Sequence, residues 1–134
     1  MSGVWQGRRI VKGQAAGPAL MSATPLSFLG DLDIATGRVV GQASDLQGQS
    51  IAGAVLVLRA TRGSAGAWRF LYQLRRSGTH PVAIVLEGMP DPSVVQGAIL
   101  SDIPVVANIP PDLRATIAPG TRLVVDGERG LVRL

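Results

Sequence analysis

Short apolar stretches alternate with glycine and proline along the first part of the chain. From residue 4 to about residue 29 these stretches are interrupted by Gly13, Gly17 and Pro18, among others. Such interruptions suit bent strands and are unfavourable within helices. The pattern predicts β-structure here, and a further short strand at residues 38–42.

The middle of the chain alternates strand-like and helix-like patterns. Residues 54–60 read AVLVLRA, and five successive apolar residues are typical of a strand buried on both faces. Residues 64–77 have apolar positions at helical spacing, with Arg75 and Arg76 in the last turn and Gly78 after it. The alternation continues with a strand at 82–86, a helix opened by Asp91 or Ser93, a strand at 104–107 and a short helix at 110–117.

The C-terminal segment contains two apolar runs separated by Asp126-Gly127 and Gly130, which predicts a hairpin. Alternating strands and helices predict parallel pairing in the middle of the chain. We therefore expect an α/β fold with a β-rich, barrel-like layer, short βα units and a C-terminal hairpin. No linker divides residues 1–134, so a single domain is expected.

Composition restricts the class of protein further. The chain has 134 residues, of which 46% are hydrophobic, enough to fill one core. The apolar run at residues 51–58 is far shorter than the roughly 20 residues that span a bilayer. No signal or transit peptide is evident, so a cytoplasmic protein without a membrane partner is expected.

The chemistry that is missing excludes several reaction types. The chain has no cysteine, one histidine, His80, and one lysine, Lys12. It therefore cannot ligate an iron–sulfur cluster through thiolates or act as a cysteine nucleophile, and it is a poor zinc protein. Lys12 is not followed by serine or threonine, which excludes a Walker-type phosphate loop. No metal site is expected in this chain.

The net charge of +4 suggests a nucleic-acid partner only weakly. The arginines are dispersed and few aromatic side chains are available for stacking on bases, so we expect no nucleic-acid binding. Charged residues make up only 16% of the chain, against roughly 25% in ordinary soluble domains. Some apolar surface is thus expected to contact a partner, which favours a subunit of a larger assembly.

Residues 61–66, TRGSAG, join a buried strand to a helix and form the candidate site. In open α/β sheets this position collects ligands, and the N–H groups of a helix N-terminus favour an anion. Gly63 permits close approach of a ligand, Arg62 can bind a carboxylate, and Ser64 supplies a hydroxyl. The simpler alternative is that Ser64 only caps the helix, a contribution of about 1 kcal/mol. Spacing alone favours that alternative.

His80 supports a second hypothesis. It precedes a segment, AIVL, that resembles the one after the phosphorylated histidine in the mobile domains of phosphoenolpyruvate-utilising enzymes. Pro81 follows His80, however, and the glycine-rich signature of those domains is absent. A phosphocarrier domain therefore stays as an alternative.

Several longer segments resemble one family, the small, swivel-domain subunit of aconitase X. They cover most of the chain in the same order: PLSFLGDLDIATGRVV (25–40), LQGQSIAG (46–53), VLRATRGSAG (57–66), SGTHPVAIVLE (77–87) and GAILSDIPVV (97–106). The resemblance implies a swivelling β/β/α domain. It also implies a hydro-lyase that is active only as a hetero-oligomer with a large subunit, whose cysteines hold an iron–sulfur cluster.

By the same resemblance Ser64 is the catalytic base, which removes a proton next to the carboxylate of a small substrate. Arg62 would hold that carboxylate, and Thr61 and Gly63 would line the substrate site. The cluster in the partner would act as a Lewis acid on the departing hydroxyl group.

The chain departs from the family pattern at a few positions. Thr61 stands where glycine is common, Ala65 and Ala67 where small hydroxyl residues are common, and Ser44-Asp45 where a histidine–proline pair is frequent. Fewer hydroxyls leave fewer donors for a phosphate. We therefore expect a cis-3-hydroxy-L-proline dehydratase, with phosphomevalonate dehydratase as the alternative.

Overall fold

The computed structural model describes residues 3–28, 30–62 and 65–134, and this part of the chain forms one eight-stranded sheet and three helices. The strands are β1 (Val4–Gln6), β2 (Arg8–Val11), β3 (Gln14–Ser22), β4 (Val55–Leu58), β5 (Ala83–Leu86), β6 (Val105–Ala107), β7 (Arg122–Asp126) and β8 (Leu131–Arg133). The helices are α1 (Ala67–Ser77), α2 (Pro92–Leu100) and α3 (Asp112–Thr116). Residue 29, the approximate end of the first predicted β-segment, lies outside the described residues.

The sheet curls into a barrel-like layer. Its strand order is β1-β8-β7-β3-β4-β5-β6-β2, so β1 and β2 occupy opposite ends although only Gly7 separates them in the chain. The Gly7 N–H donates to the carbonyl of Gly130 at 2.7 Å, and a Cβ at Gly7 would lie 2.5 Å from the Ala107 carbonyl oxygen. Only glycine fits where the two ends of the sheet meet. The predicted α/β class is confirmed.

Strand β4 lies in the middle of the sheet and is buried on both faces, as predicted. Val55 and Val57 belong to the core inside the curled sheet, which also includes Leu113 of α3, whereas Leu56 and Leu58 belong to the core beneath α1 and α2. All four side chains are at most 1% exposed. Because successive side chains of a strand point to opposite faces of the sheet, the four residues of β4 contribute to two hydrophobic cores.

The pairing of β4, β5 and β6 is parallel, as the strand–helix alternation predicted. Strand β3 also pairs parallel to β4, which the alternation did not predict. Helix α1 connects β4 to β5, and α2 connects β5 to β6. The remaining strands pair antiparallel, including the hairpin of β7 and β8, where Asp126 pairs with Leu131. The predicted C-terminal hairpin is therefore also confirmed.

Helix α1 ends as predicted but begins later. Gly78 is its C-cap in the left-handed region, with φ of 72°, and its N–H donates to the carbonyl of Arg75. The first helical residue is Ala67 and the N-cap is Gly66, whereas the sequence pattern predicted a helix from residue 64. Apolar spacing does not reveal that residues 65 and 66 form a turn held by the neighbouring helix, as described below.

The predicted strand at residues 38–42 is wrong. The segment makes only isolated bridges, Leu32 with Val39 and Arg38 with Ser50. Its backbone groups bond to loops on either side: the N–H of Val39 donates to Gln49 and that of Val40 to Asp31. The apolar pair Val39-Val40 is typical of a strand, but it lies in the long connection between β3 and β4.

Candidate active site at the loop after β4

The candidate loop lies at the edge of the sheet where the parallel strands end. Leu26, which follows β3, pairs in parallel with Thr61, and the Arg62 N–H donates to the Leu26 carbonyl at 3.0 Å. The carboxyl ends of parallel strands are the usual ligand-binding edge of such sheets. Gly63 and Ser64, the centre of the predicted site, lie outside the described residues, and their roles stay predictions.

Thr61 is joined to the start of α2. Its hydroxyl donates to Oδ2 of Asp91 at 2.5 Å, and the Thr61 hydroxyl oxygen accepts the backbone N–H of Asp91 at 3.3 Å. The hydroxyl proton of Thr61 is therefore already donated within the protein. The predicted contact of Thr61 with substrate stays a prediction, and it would have to use something other than this proton.

The other side of the loop is joined to the same helix through Ser93. The Ser93 hydroxyl donates to the carbonyl of Ala65 and accepts the N–H of Trp68, both at 3.0 Å. One of the N–H groups that an anion would meet at the start of α1 is thus already bonded. Gly66 occupies the N-cap position of α1. Because Ser64 lies outside the described residues, both interpretations of Ser64, catalytic base and helix cap, stay predictions.

Arginines surround this edge of the sheet. Arg62 is exposed, and among the described residues its guanidinium makes no hydrogen bond or ion pair. Arg69 is also exposed and lies over the loop, since a Cβ built on Gly66 would be 3.4 Å from one of its guanidinium nitrogens. Arg62 was predicted from the sequence; Arg69, in the first turn of α1, was not.

A second group of charges lies beside the loop, at the ends of β4 and β5. Glu87 accepts a hydrogen bond from Nε of Arg114 at 2.9 Å, and Nε of Arg59 lies 3.9 Å from its other oxygen. One carboxylate thus faces two guanidinium groups. The one positive charge that this group leaves is offset by the Asp91 carboxylate at the loop. Arg62 and Arg69 therefore make this edge of the sheet positive, which favours an anionic ligand here.

Asp45, one of the departures noted in the sequence, anchors the loop after β3. Its carboxylate accepts hydrogen bonds from the hydroxyls of Ser22 and Thr24 and from the N–H of Ala23. Burial alone would raise the pKa of Asp45, but these hydrogen bonds outweigh it and hold the pKa below the ordinary value. Asp45 is therefore an ionised structural residue.

His80 lies at the opposite edge of the sheet, before β5 begins. Its Nε2 is 3.2 Å from a guanidinium nitrogen of Arg75, and its Nδ1 is buried without a hydrogen-bond partner among the described residues. Burial and the Arg75 charge lower the pKa of His80, so the ring is neutral at pH 7. Nδ1 is therefore closed to a phosphoryl donor, and Nε2 is engaged by the exposed Arg75 side chain, which argues against the phosphocarrier alternative.

Sequence reasoning missed the role of the α2 start. The sequence pattern predicts Asp91 or Ser93 only as the residue that opens a helix, and Asp91 is indeed the N-cap of α2. Their contacts with Thr61, Ala65 and Trp68 join segments about 30 residues apart, and spacing along one element cannot reveal them. The sequence feature that could have indicated this role is Asp-Pro-Ser at residues 91–93, which places one polar side chain on each side of a rigid proline.

Two further observations concern the described part of the chain. It contains no group of three or more histidine, aspartate or glutamate side chains that could hold a metal ion. None of its helices is long and apolar enough to cross a membrane.

Comparison with known proteins gives the family. Residues 4–134 match the family model described as the aconitase X swivel domain. The fold superposes on the crystal structure of Thermococcus kodakaraensis aconitase X in its holo-form with a TM-score of 0.90 at 38% identity, over 98% of both chains. It also matches the solution NMR structure of a UPF0107 protein, with a TM-score of 0.89 at 32% identity over 98% of both chains. The chain belongs to the aconitase X swivel-domain family.

The names of similar proteins indicate which type of subunit this chain is. A protein of Methanothrix thermoacetophila named phosphomevalonate dehydratase small subunit is 43% identical over 126 residues, 94% of this chain and 90% of that protein. A protein of the same name from Pyrococcus furiosus is 40% identical over 129 residues, 96% of this chain and 93% of that protein. The chain is therefore the small subunit of an aconitase X type dehydratase, a hydro-lyase.

Proposed function

We propose that this chain is the small subunit of a phosphomevalonate dehydratase, which supplies Ser64 as the base to an active site shared with a large subunit. The observation that carries this proposal is the agreement of relatives at 36–43% identity, over 94% or more of this chain, on one name. Their name favours the alternative substrate of the sequence analysis over cis-3-hydroxy-L-proline.

The structure shows that counting hydroxyls at these positions is a weak guide to the substrate. Ala67 is 1% exposed, so a hydroxyl there would face the core and not a substrate. The Thr61 hydroxyl is used by Asp91, and the Asp45 carboxylate is used by the loop after β3. Only Ala65, which is exposed, is left as a position where a hydroxyl could reach a ligand. Most of the departures therefore concern packing and carry little information about the substrate.

Charge at the loop supports the phosphorylated substrate. Phosphomevalonate carries a carboxylate and a phosphate, whereas hydroxyproline carries one carboxylate and a compensating ammonium group. Arg62 and Arg69 are both exposed beside the loop, and neither has an ion-pair partner among the described residues. Guanidinium groups bind carboxylates and phosphates in bidentate fashion, so two such groups suit two anionic ends.

The reaction is the elimination of water. A proton leaves the carbon next to the carboxylate, hydroxide leaves the adjacent carbon, and a carbon–carbon double bond forms. We assign proton removal to Ser64 and carboxylate binding to Arg62. A serine acts as a base only where its alkoxide is stabilised, and the positive charge of Arg62 and Arg69 contributes to that.

The iron–sulfur cluster implied by the family does not fit this chain, which has no cysteine to ligate it. We therefore assign any such cluster to the large subunit. In this proposal the small subunit contributes Ser64 and Arg62 from the loop, and Arg69 from the first turn of α1.

The experiment is a substrate comparison with the assembled enzyme. The chain is co-expressed with a large subunit of this family, purified without oxygen, and incubated with phosphomevalonate and with cis-3-hydroxy-L-proline; loss of water is followed by mass spectrometry. We expect dehydration of phosphomevalonate and a KM for it that rises at least tenfold in Arg62→Gln, but not in the control Arg76→Gln at the far end of α1. Turnover of hydroxyproline alone would overturn the substrate assignment.

A further inference from the structure

The first turn of α2 holds both ends of the candidate loop. Asp91 binds Thr61 on one side of residues 63 and 64, and Ser93 binds Ala65 and Trp68 on the other. Pro92 lies between Asp91 and Ser93 as the first residue of the helix, and its ring restricts the backbone there. We call residues 91–93 the clamp.

The N-cap of α2 is used in an unusual way. An N-cap aspartate normally accepts an N–H from its own helix, which stabilises the helix by about 1 kcal/mol. Within the described residues the Asp91 side chain makes no such cap bond, and its carboxylate instead accepts the hydroxyl proton of Thr61. The helix thus forgoes a local contact while the loop gains a distant one.

Packing below the clamp keeps α2 close to the loop. Gly97 faces α1 so closely that a Cβ there would lie 2.8 Å from Cα of Trp68. Trp68 is also the residue whose N–H is bound by Ser93. The distance between the start of α2 and the loop is therefore set by rigid elements on both sides.

We propose that Asp91 and Ser93 are positioning residues for the dehydration, which fix the two flanks of the loop that carries Ser64. This inference rests on the proposed role of Ser64. A misplacement of about 1 Å in a reacting group can cost on the order of 100-fold in rate. Loss of either side chain should therefore lower kcat while substrate binding changes little.

The test uses kinetics of the assembled enzyme with conservative rescue. We expect kcat to fall 10- to 100-fold in Asp91→Ala and in Ser93→Ala, with KM changed less than threefold. Asp91→Asn and Ser93→Thr keep the acceptor oxygen and the hydroxyl, so each should recover most of the loss. Unchanged kcat in both alanine variants, or a loss that appears mainly in KM, would overturn the proposal.

A double-mutant cycle tests the pairing itself. Thr61→Val combined with Asp91→Ala should be no slower than Asp91→Ala alone, because both changes break one contact. Fully additive losses would show that Thr61 acts elsewhere, as in a direct contact with substrate.

Amide hydrogen exchange supplies a readout that needs no activity. Exchange at Trp68 should accelerate in Ser93→Ala but not in Ser77→Ala, which removes an exposed hydroxyl at the other end of α1. Unchanged exchange at Trp68 would contradict the clamp. The proposed function fails separately, if Ser64→Ala retains wild-type turnover, whatever the clamp variants do.

Discussion

Replacing Gly97 with alanine tests how tightly α2 holds α1. In an open helix position this change stabilises a protein by about 1 kcal/mol, because alanine is the better helix former. At Gly97 the new Cβ would meet Cα of Trp68 at 2.8 Å and the Trp68 carbonyl oxygen at 3.1 Å. Both are backbone atoms, so no side-chain rotation can relieve the contact and the helices must separate.

The magnitude follows from the size of the overlap. Ordinary contacts begin at 3.4 Å, so α1 has to move by about 0.6 Å at Trp68. Overpacking of this kind costs about 1–3 kcal/mol, and a contact with backbone belongs at the upper end. Subtracting the gain of about 1 kcal/mol in helix propensity leaves a net loss of about 2 kcal/mol. In a chain of this size, that lowers Tm by about 6 °C.

Thermal and urea unfolding of the full chain, followed by circular dichroism, measure this loss. Gln96→Ala is the matched control, because Gln96 is exposed on the same helix and its replacement should change stability by less than about 0.5 kcal/mol. In the assembled enzyme, Gly97→Ala should also lower kcat, because the N–H of Trp68 donates to Ser93, which holds one side of the loop. A Tm equal to or above wild type would refute the close helix contact.

Three other perturbations test separate parts of the structure. Gly7→Ala should lower the free energy of unfolding by about 3 kcal/mol in urea, because its Cβ would meet the Ala107 carbonyl where the sheet closes; a loss below that of Gly97→Ala would contradict the closure. His80 has a lowered pKa from burial and from Arg75, so the unfolded chain takes up its proton first, near pH 6.5. The free energy of unfolding should therefore fall as pH drops below about 6.5, and this fall should be smaller in His80→Gln. In Arg75→Gln, NMR titration should give a higher pKa for His80 than in the wild type. The Asp45 carboxylate has a lowered pKa, so its stabilisation is present above pH 3.8 and is lost as pH falls through the lower folded value. Asp45→Asn should therefore lower Tm at pH 7 and lose less on acidification, and an unchanged Tm at pH 7 would contradict this role.

Elements with a local signal were predictable from the sequence. Five successive apolar residues predicted β4 as doubly buried, Gly78 predicted the end of α1, and Asp126-Gly127 predicted the hairpin of β7 and β8. In each case the deciding physics lies within a few neighbouring residues: burial of an apolar run, a left-handed glycine or a tight turn.

Features that depend on distant partners were not predictable. Val39-Val40 has the composition of a strand, yet its backbone bonds to loops and not to a neighbouring strand. Comparison with the family pattern predicts that Ala67 replaces a hydroxyl of the site, but Ala67 is buried in the core beneath α1. The link between Thr61 and Asp91 spans 30 residues and forms only because β4 and β5 are parallel neighbours.

The most direct measurement is turnover of phosphomevalonate by the assembled enzyme carrying Ser64→Ala, beside the same enzyme carrying Ser77→Ala. Co-purification with the large subunit establishes that both variants assemble. We predict that Ser64→Ala lowers kcat at least a thousandfold with assembly intact, whereas Ser77→Ala matches wild type. Wild-type turnover in an assembled Ser64→Ala enzyme would contradict the claim that this subunit contributes the base.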